Sequence, residues 1–171
     1  MQTPKRMILC VVFISIFACG NTQTLPVGSK IPEFQLADQN GKTFDINDYI
    51  GKKNLVIYFY PKDETPGCTK EACTFRDQYE VFKNADAKVI GISAQSVESH
   101  KEFADHYQLP FTLLSDSTNS VRKLFGVSVG PIPGRVTFVV DKKGTVTYVF
   151  NSLTKATQHV DEALRVLKEM N

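Results

Sequence analysis

Nowhere in these 171 residues do cysteine, histidine and carboxylate gather at metal-ligand spacing, and histidine occurs only three times. A zinc centre needs three or four such side chains converging, so no metal is expected. A glycine-rich phosphate loop and a dinucleotide fingerprint are also missing, and no cofactor is expected. There is no basic run and no stripe of Lys and Arg interleaved with aromatics, which argues against nucleic acid as a partner. With Lys5 and Arg6 set aside, 18 basic side chains face 18 acidic ones. The chain has no internal repeat and no low-complexity segment. Its apolar run at Met7–Ala18 is twelve residues long, too short to span a bilayer comfortably.

What the chain does contain fits one α/β domain, with 42% hydrophobic and 22% charged residues. Asp38-Gln39-Asn40-Gly41 is a hairpin turn between Phe34-Gln35-Leu36 and Thr43-Phe44. Residues 54–60 read as a buried strand, and 68–83 as a helix with Ala72, Phe75, Tyr79 and Phe82 on one face. A strand at 87–93 follows, then a helix capped by Ser96 that runs to about Tyr107. A short strand is expected at 111–115 and a short helix at 118–125, ended by Gly126. A hairpin turns at Lys142-Lys143-Gly144, and an amphipathic helix over 157–170 closes the chain. A βαβ unit, an intervening helix, a hairpin and a final helix match a thioredoxin-like fold, a central mixed β-sheet flanked by helices, with an added N-terminal β-hairpin.

Cys68 stands where strand gives way to helix. Free backbone N–H groups at such a junction, and the positive end of the helix dipole, favour a thiolate. Cys73 lies five residues on. On a helix that spacing separates the Cα atoms by roughly 8–9 Å, beyond the roughly 7 Å that a disulfide tolerates. Either the pair never bonds, or oxidation is accompanied by unwinding of the first helical turn.

Pro61-x-x-x-Thr65-x-x-Cys68 resembles the active-site signature of peroxiredoxins. The longer run Tyr58–Asp63 followed by Thr65-Pro66-Gly67-Cys68-Thr69-Lys70-Glu71-Ala72-Cys73 is similar to the PrxQ, or bacterioferritin-comigratory, subgroup. Gly134-Arg135-Val136-Thr137-Phe138-Val139-Val140-Asp141-Lys142-Lys143-Gly144 is similar to the strand and hairpin that carry that family's arginine. The resemblance covers about residues 25–171. It implies a thiol peroxidase acting on hydrogen peroxide and organic hydroperoxides. Cys68 would be the peroxidatic nucleophile, and Cys73 would resolve its sulfenic acid as an intramolecular disulfide. A thioredoxin-like donor would recycle that disulfide. Thr65 would hydrogen-bond the thiolate and a peroxide oxygen, beside its ordinary use of closing a loop. Pro61 would shield the sulfur as well as end the strand. Arg135 would reach Cys68, favour its thiolate and stabilise charge on the breaking O–O bond. Glu71 would support the helix N-terminus. His100, His106 and His159 read as exposed or half-buried polar residues on helices.

The N-terminus is separate. Lys5-Arg6 and the apolar run lead to Ile16-Phe17-Ala18-Cys19, which resembles a bacterial lipobox. That resemblance implies a signal peptide over 1–18, lipidation of Cys19, a tether over 19–26 and the catalytic domain over 27–171. The protein would then be an extracytoplasmic, membrane-anchored lipoprotein, on the periplasmic side; ordinary secretion and an uncleaved anchor are the alternatives. With Cys10 discarded and Cys19 acylated, Cys68 and Cys73 are the only thiols left, and an intrachain resolving cysteine suits a monomer. Two other classes stay open: a thioredoxin-fold thiol-disulfide oxidoreductase, which would normally show Cys-x-x-Cys, and a non-enzymatic tethered module.

Overall fold

Residues Leu55–Phe59 carry large hydrophobic side chains without alternation because both of their faces are covered, and all six residues of the strand Asn54–Phe59 are buried. A computed structural model, which describes residues 23–170, places this strand near the middle of one sheet. The elements run β1 (Gln35–Asp38), β2 (Thr43–Asp45), a 3-10 turn (Ile46–Asp48), β3 (Asn54–Phe59), α1 (Pro66–Asp77), α2 (Tyr79–Asn84) and β4 (Ala87–Ser93). Then come α3 (Val97–His106), β5 (Thr112–Ser115), α4 (Ser120–Leu124), β6 (Val136–Val140), β7 (Val146–Asn151) and α5 (Ala156–Met170). The sheet order is β2-β1-β5-β4-β3-β6-β7. β3, β4 and β5 are parallel, while β6 lies antiparallel to β3 with Phe59 opposite Val136. This is the thioredoxin-like α/β fold with its N-terminal hairpin, β1–β2.

The period of two along β3 divides the core. Val56, Tyr58 and Tyr60 join a cluster with Cys68, Ala72 and Phe75 of α1, Phe82 of α2, Phe103 of α3 and Val160 and Leu167 of α5. Leu55, Ile57 and Phe59 face the other way, toward Phe125, Phe138 and the N-terminal segment. Thus the strand that leads into the cysteine loop is packed on both sides, and the loop starts from a fixed point.

Three expectations are adjusted. The helix begins at Pro66, not Cys68, with Thr65 as extended N-cap. Proline suits the first helical position because its missing N–H would have no partner there. The expected single helix over 68–83 is two helices, α1 and α2, divided at Gln78 (φ −102°, ψ 8°). Asp77 and Gln78 are exposed, so no buried side chain holds that turn to the core. Residues 23–26 lie against the domain: Leu25 N–H donates to the Phe125 carbonyl at 2.9 Å. The leader and Cys19 fall outside the described residues.

Gly91 on β4 underlies the Tyr58 ring. A methyl group there would come within 2.7 Å of the Tyr58 hydroxyl and 2.8 Å of a Leu113 methyl. Gly91→Ala is therefore expected to destabilise the fold by about 1–3 kcal/mol through overpacking. The urea midpoint measures this, and an unchanged midpoint would refute it.

Candidate active site

Between β3 and α1 the chain must turn sharply, and a buried carboxylate secures the turn. Asp63 Oδ1 accepts from the Tyr60 hydroxyl at 2.7 Å, and Oδ2 accepts from the Ser99 hydroxyl at 2.7 Å and from His100 Nδ1 at 2.9 Å. The other ring nitrogen of His100 lies 3.1 Å from the Leu114 carbonyl. Both nitrogens face acceptors, an arrangement that an imidazolium satisfies with two donated N–H groups. His100 and Asp63 are thus a buried ion pair, 0% and 2% exposed, between the loop and α3. Burial alone would raise the Asp63 pKa, but the hydrogen bonds and the His100 charge outweigh it and hold the carboxyl below its ordinary range.

Beyond the turn, Cys68 occupies the third position of α1 and is 2% exposed. Pro66 has no N–H, and that of Thr69 bonds the Thr65 carbonyl at 2.8 Å. The N–H groups of Gly67 and Cys68 remain at the open helix end, where they stabilise negative charge. Arg135 Nη2 donates to the sulfur at 3.3 Å. Gly67 leaves room for this approach, since a Cβ there would sit 3.3 Å from the same nitrogen.

Arg135 precedes β6 and spends its whole guanidinium fork locally. Nη1 bonds Glu71 Oε2, and Nε donates to the Leu153 carbonyl at 3.1 Å. Burial works against its charge, but Glu71 and Cys68 outweigh burial and raise the Arg135 pKa. Glu71 has no solvent exposure, and burial pushes its carboxyl up to about 8 despite the opposing pull of Arg135. Behind it, His159 of α5 is also fully buried, which pushes its imidazole down to about 4. Arg122 of α4 ties the frame together: Nη2 donates to the Tyr60 carbonyl at 2.7 Å and Nη1 to the Gly134 carbonyl at 2.8 Å. One buried cation therefore fixes both the start of the cysteine loop and the residue before Arg135.

The structure brings Cys68 and Arg135 together, with half-buried Pro61 at the exit of β3. It departs from expectation at Thr65, whose hydroxyl donates to the Lys62 carbonyl at 3.1 Å instead of the sulfur. As N-cap, Thr65 gives its carbonyl to the helix and its hydroxyl to the loop. Cys73 is half-buried farther along unbroken α1, and both cysteines are free thiols. Glu71 does not serve the helix end; it pairs with Arg135. His100 and His159 are fully buried and hydrogen-bonded, not exposed or half-buried, while His106 is exposed and meets Glu64 Oε1 at 3.2 Å. Asp63, His100, Arg122 and His159 escape a sequence reading because their partners lie far along the chain. Only the position of Asp63 inside the loop signature could have singled one out.

The AhpC/TSA family matches residues 27–149. "Peroxiredoxin Q, chloroplastic" of Triticum aestivum is 52% identical over 155 residues, covering 89% of this chain and 70% of that one. The protein of the same name from Populus jackii is 51% identical over 159 residues, covering 91% and 72%. Among solved structures, peroxidoxin BcpB from Mycobacterium tuberculosis superimposes with a TM-score of 0.82 at 34% identity, over 86% of this chain and 99% of that one. The relatives correct one expectation. Their chloroplastic names point to an organellar location rather than a bacterial, membrane-anchored lipoprotein. Residues 1–18 carry basic and no acidic side chains, a composition shared by leaders to several compartments, so four residues ending at Cys19 were left to decide the address. By family match, relatives and fold together, the chain belongs to the AhpC/TSA family, among the peroxiredoxin Q proteins, and is a thiol-dependent peroxidase.

Proposed function

We propose that Cys68 is the peroxidatic nucleophile, that Cys73 resolves it, and that residues 27–171 are the catalytic unit. The observation that carries this reading is the Arg135 guanidinium 3.3 Å from a buried sulfur at a helix N-terminus. The thiolate attacks the terminal oxygen of a hydroperoxide. An S–O bond forms, the O–O bond breaks, and the departing oxygen leaves as water or alcohol after taking a proton. Arg135 and the open N–H groups of Gly67 and Cys68 stabilise the charge that moves onto oxygen. In this reading Pro61 and Thr65 shield the sulfur, and the Thr65 hydroxyl leaves the Lys62 carbonyl in order to donate to a peroxide oxygen.

Cys68 then carries a sulfenic acid. For Cys73 to reach it the first turns of α1 must unwind, because five helical residues separate Cα atoms by roughly 8–9 Å and a disulfide requires less than about 7 Å. Attack by the Cys73 thiolate forms the S–S bond and breaks the S–O bond, and the departing hydroxide takes up a proton from solvent to leave as water. A thioredoxin-like dithiol reduces the disulfide by exchange. An intrachain disulfide needs no second subunit, so the reading includes a working monomer.

A thiol count on reduced protein beginning at residue 20, before and after one equivalent of hydrogen peroxide, tests it. Loss of both thiols within seconds, with a Cys68–Cys73 disulfide in the peptide map, is expected. Loss of Cys68 alone would remove Cys73 as resolver. Retention of both thiols would overturn the peroxidatic assignment.

A further inference from the structure

One cation serves two acidic groups behind the sulfur. Arg135 Nη2 faces Cys68 and Nη1 faces Glu71, in a space with almost no solvent. If both acids ionise, the cluster holds two anions for one cation in a low-dielectric interior, where like charges strongly oppose each other's ionisation.

The surroundings of the two acids differ. Cys68 has the helix-end N–H groups beside Arg135. Glu71 has Arg135 alone, and its Oε1 has no hydrogen-bond partner. His159 Nδ1 lies 3.8 Å from Oε1. His159 Nε2 lies 2.8 Å from the Ser152 carbonyl, so it carries the ring proton. Nδ1 is then a lone pair, accepting from the Thr137 hydroxyl at 2.8 Å. His159 therefore offers Oε1 no hydrogen. Its lone pair repels a carboxylate and tolerates a carboxylic O–H. The remaining titratable and charged groups facing this region are Tyr58 of β3, a buried phenol held protonated by burial, Asp63 of the loop, already paired with His100, and Arg122 of α4, whose charge reaches Cys68 but whose N–H groups are bound to the Tyr60 and Gly134 carbonyls.

We propose that Glu71 is the proton partner of Cys68: the cluster carries a single negative charge, and when that charge is on sulfur Glu71 is a neutral carboxylic acid. The inference rests on Cys68 as the nucleophile. The exchange moves one proton from sulfur to a carboxylate oxygen; no electron moves and the net charge of the cluster is unchanged. A free thiol holds its proton about four pKa units more tightly than a free carboxyl. The burial that raises the Glu71 carboxyl to about 8 removes most of that gap, and the helix end tips the balance toward thiolate. Glu71 thus positions Arg135 without taking its charge. Above its midpoint the carboxylate forms and draws the guanidinium away from the reacting atoms.

Protein labelled with 13C in its glutamate carboxyls, titrated by NMR, tests this directly, with the Glu71 signal assigned by its absence in Glu71→Gln. With a thiolate beside it, the wild-type midpoint should lie above about 8, the value that burial and Arg135 alone set. In Cys68→Ser, where no thiolate competes, it should fall toward that value, by at least about one unit. The rate of hydrogen peroxide consumption should decline above the Glu71 midpoint in wild type and in Glu71→Asp, and this decline should vanish in Glu71→Gln whatever its absolute rate. A Glu71 already ionised at neutral pH, a midpoint unmoved by Cys68→Ser, or an unchanged decline in Glu71→Gln would each overturn the proposal. Peroxide turnover by Cys68→Ser would instead overturn Cys68 as nucleophile, so the two failures are distinguishable.

Discussion

Arg135→Ala should slow the reaction of Cys68 with hydrogen peroxide by about 10²–10³-fold, the usual cost of removing one preorganised donor from developing negative charge. The expectation is large because Arg135 has no substitute on the sulfur. Among the described residues the other buried arginine, Arg122, is bound to the Tyr60 and Gly134 carbonyls, and His100 is engaged by Asp63. Arg135→Lys should not restore the rate. The native side chain meets Cys68, Glu71 and the Leu153 carbonyl through three nitrogens of one planar fork, and an ammonium presents a single point of charge. Stability should fall less than for an ordinary broken buried pair, because Glu71 can take up a proton when its cation is gone. The sign follows from a raised folded-state pKa. Protonated Glu71 favours the fold fully below the ordinary carboxyl value of 4.5, and that contribution is lost as pH rises toward about 8. Stopped-flow measurement of the first oxidation checks the rate; a loss smaller than about tenfold would sink the role given to Arg135.

His100→Ala should be the most destabilising single change near the site, at about 3–5 kcal/mol, because it strands a buried carboxylate. Asp63 would keep the hydroxyls of Tyr60 and Ser99 but lose the one positive charge paired with it. At roughly 2–4 °C per kcal/mol for a chain of this size, the melting temperature should drop by about 10 °C. The Asp63 carboxyl is held below its ordinary value in the folded state. Its pairing therefore stabilises the protein above the unfolded-state value near 3.8 and is lost as pH falls through the lower folded value. The difference between variant and wild type should accordingly narrow in acid. Urea unfolding across pH measures it; a deficit that persists unchanged in acid would mean that lost packing, not stranded charge, is responsible. The peroxide rate should fall as well, since Asp63 holds the loop that presents Cys68.

Residues that announce themselves in sequence here are those whose reason for being is local. From Leu55 to Phe59 the β3 run is hydrophobic without alternation, Ser96 caps α3 with its own hydroxyl, and Pro66 begins a helix by its fixed φ. Cys68 and Arg135 were legible through the signatures around them. Glu71 and Asp63 were visible as letters but not as buried groups, because charge is buried only against a partner. Those partners are 64 and 37 residues away. His159 looks like any helical histidine until β6 supplies Thr137. Thr65 shows a different limit: the signature points to the sulfur, while the hydroxyl here donates to the Lys62 carbonyl of its own loop. The break at Gln78 was hidden because Phe75, Tyr79 and Phe82 keep helical spacing across it.

The ladder between β3 and β6 has a dynamic consequence. Phe59 pairs with Val136, so Cys68 and Arg135 hang from neighbouring ends of two strands whose inner faces are packed. A shared tilt of the two paired strands would carry sulfur and guanidinium in the same direction and leave their separation unchanged. The distance between Cys68 and Cys73 has no such protection. It runs along a single helix whose first turn is bound to the rest chiefly through the sulfur and its neighbours. In the proposed cycle the stiff coordinate would serve the meeting with peroxide and the soft one the change that follows.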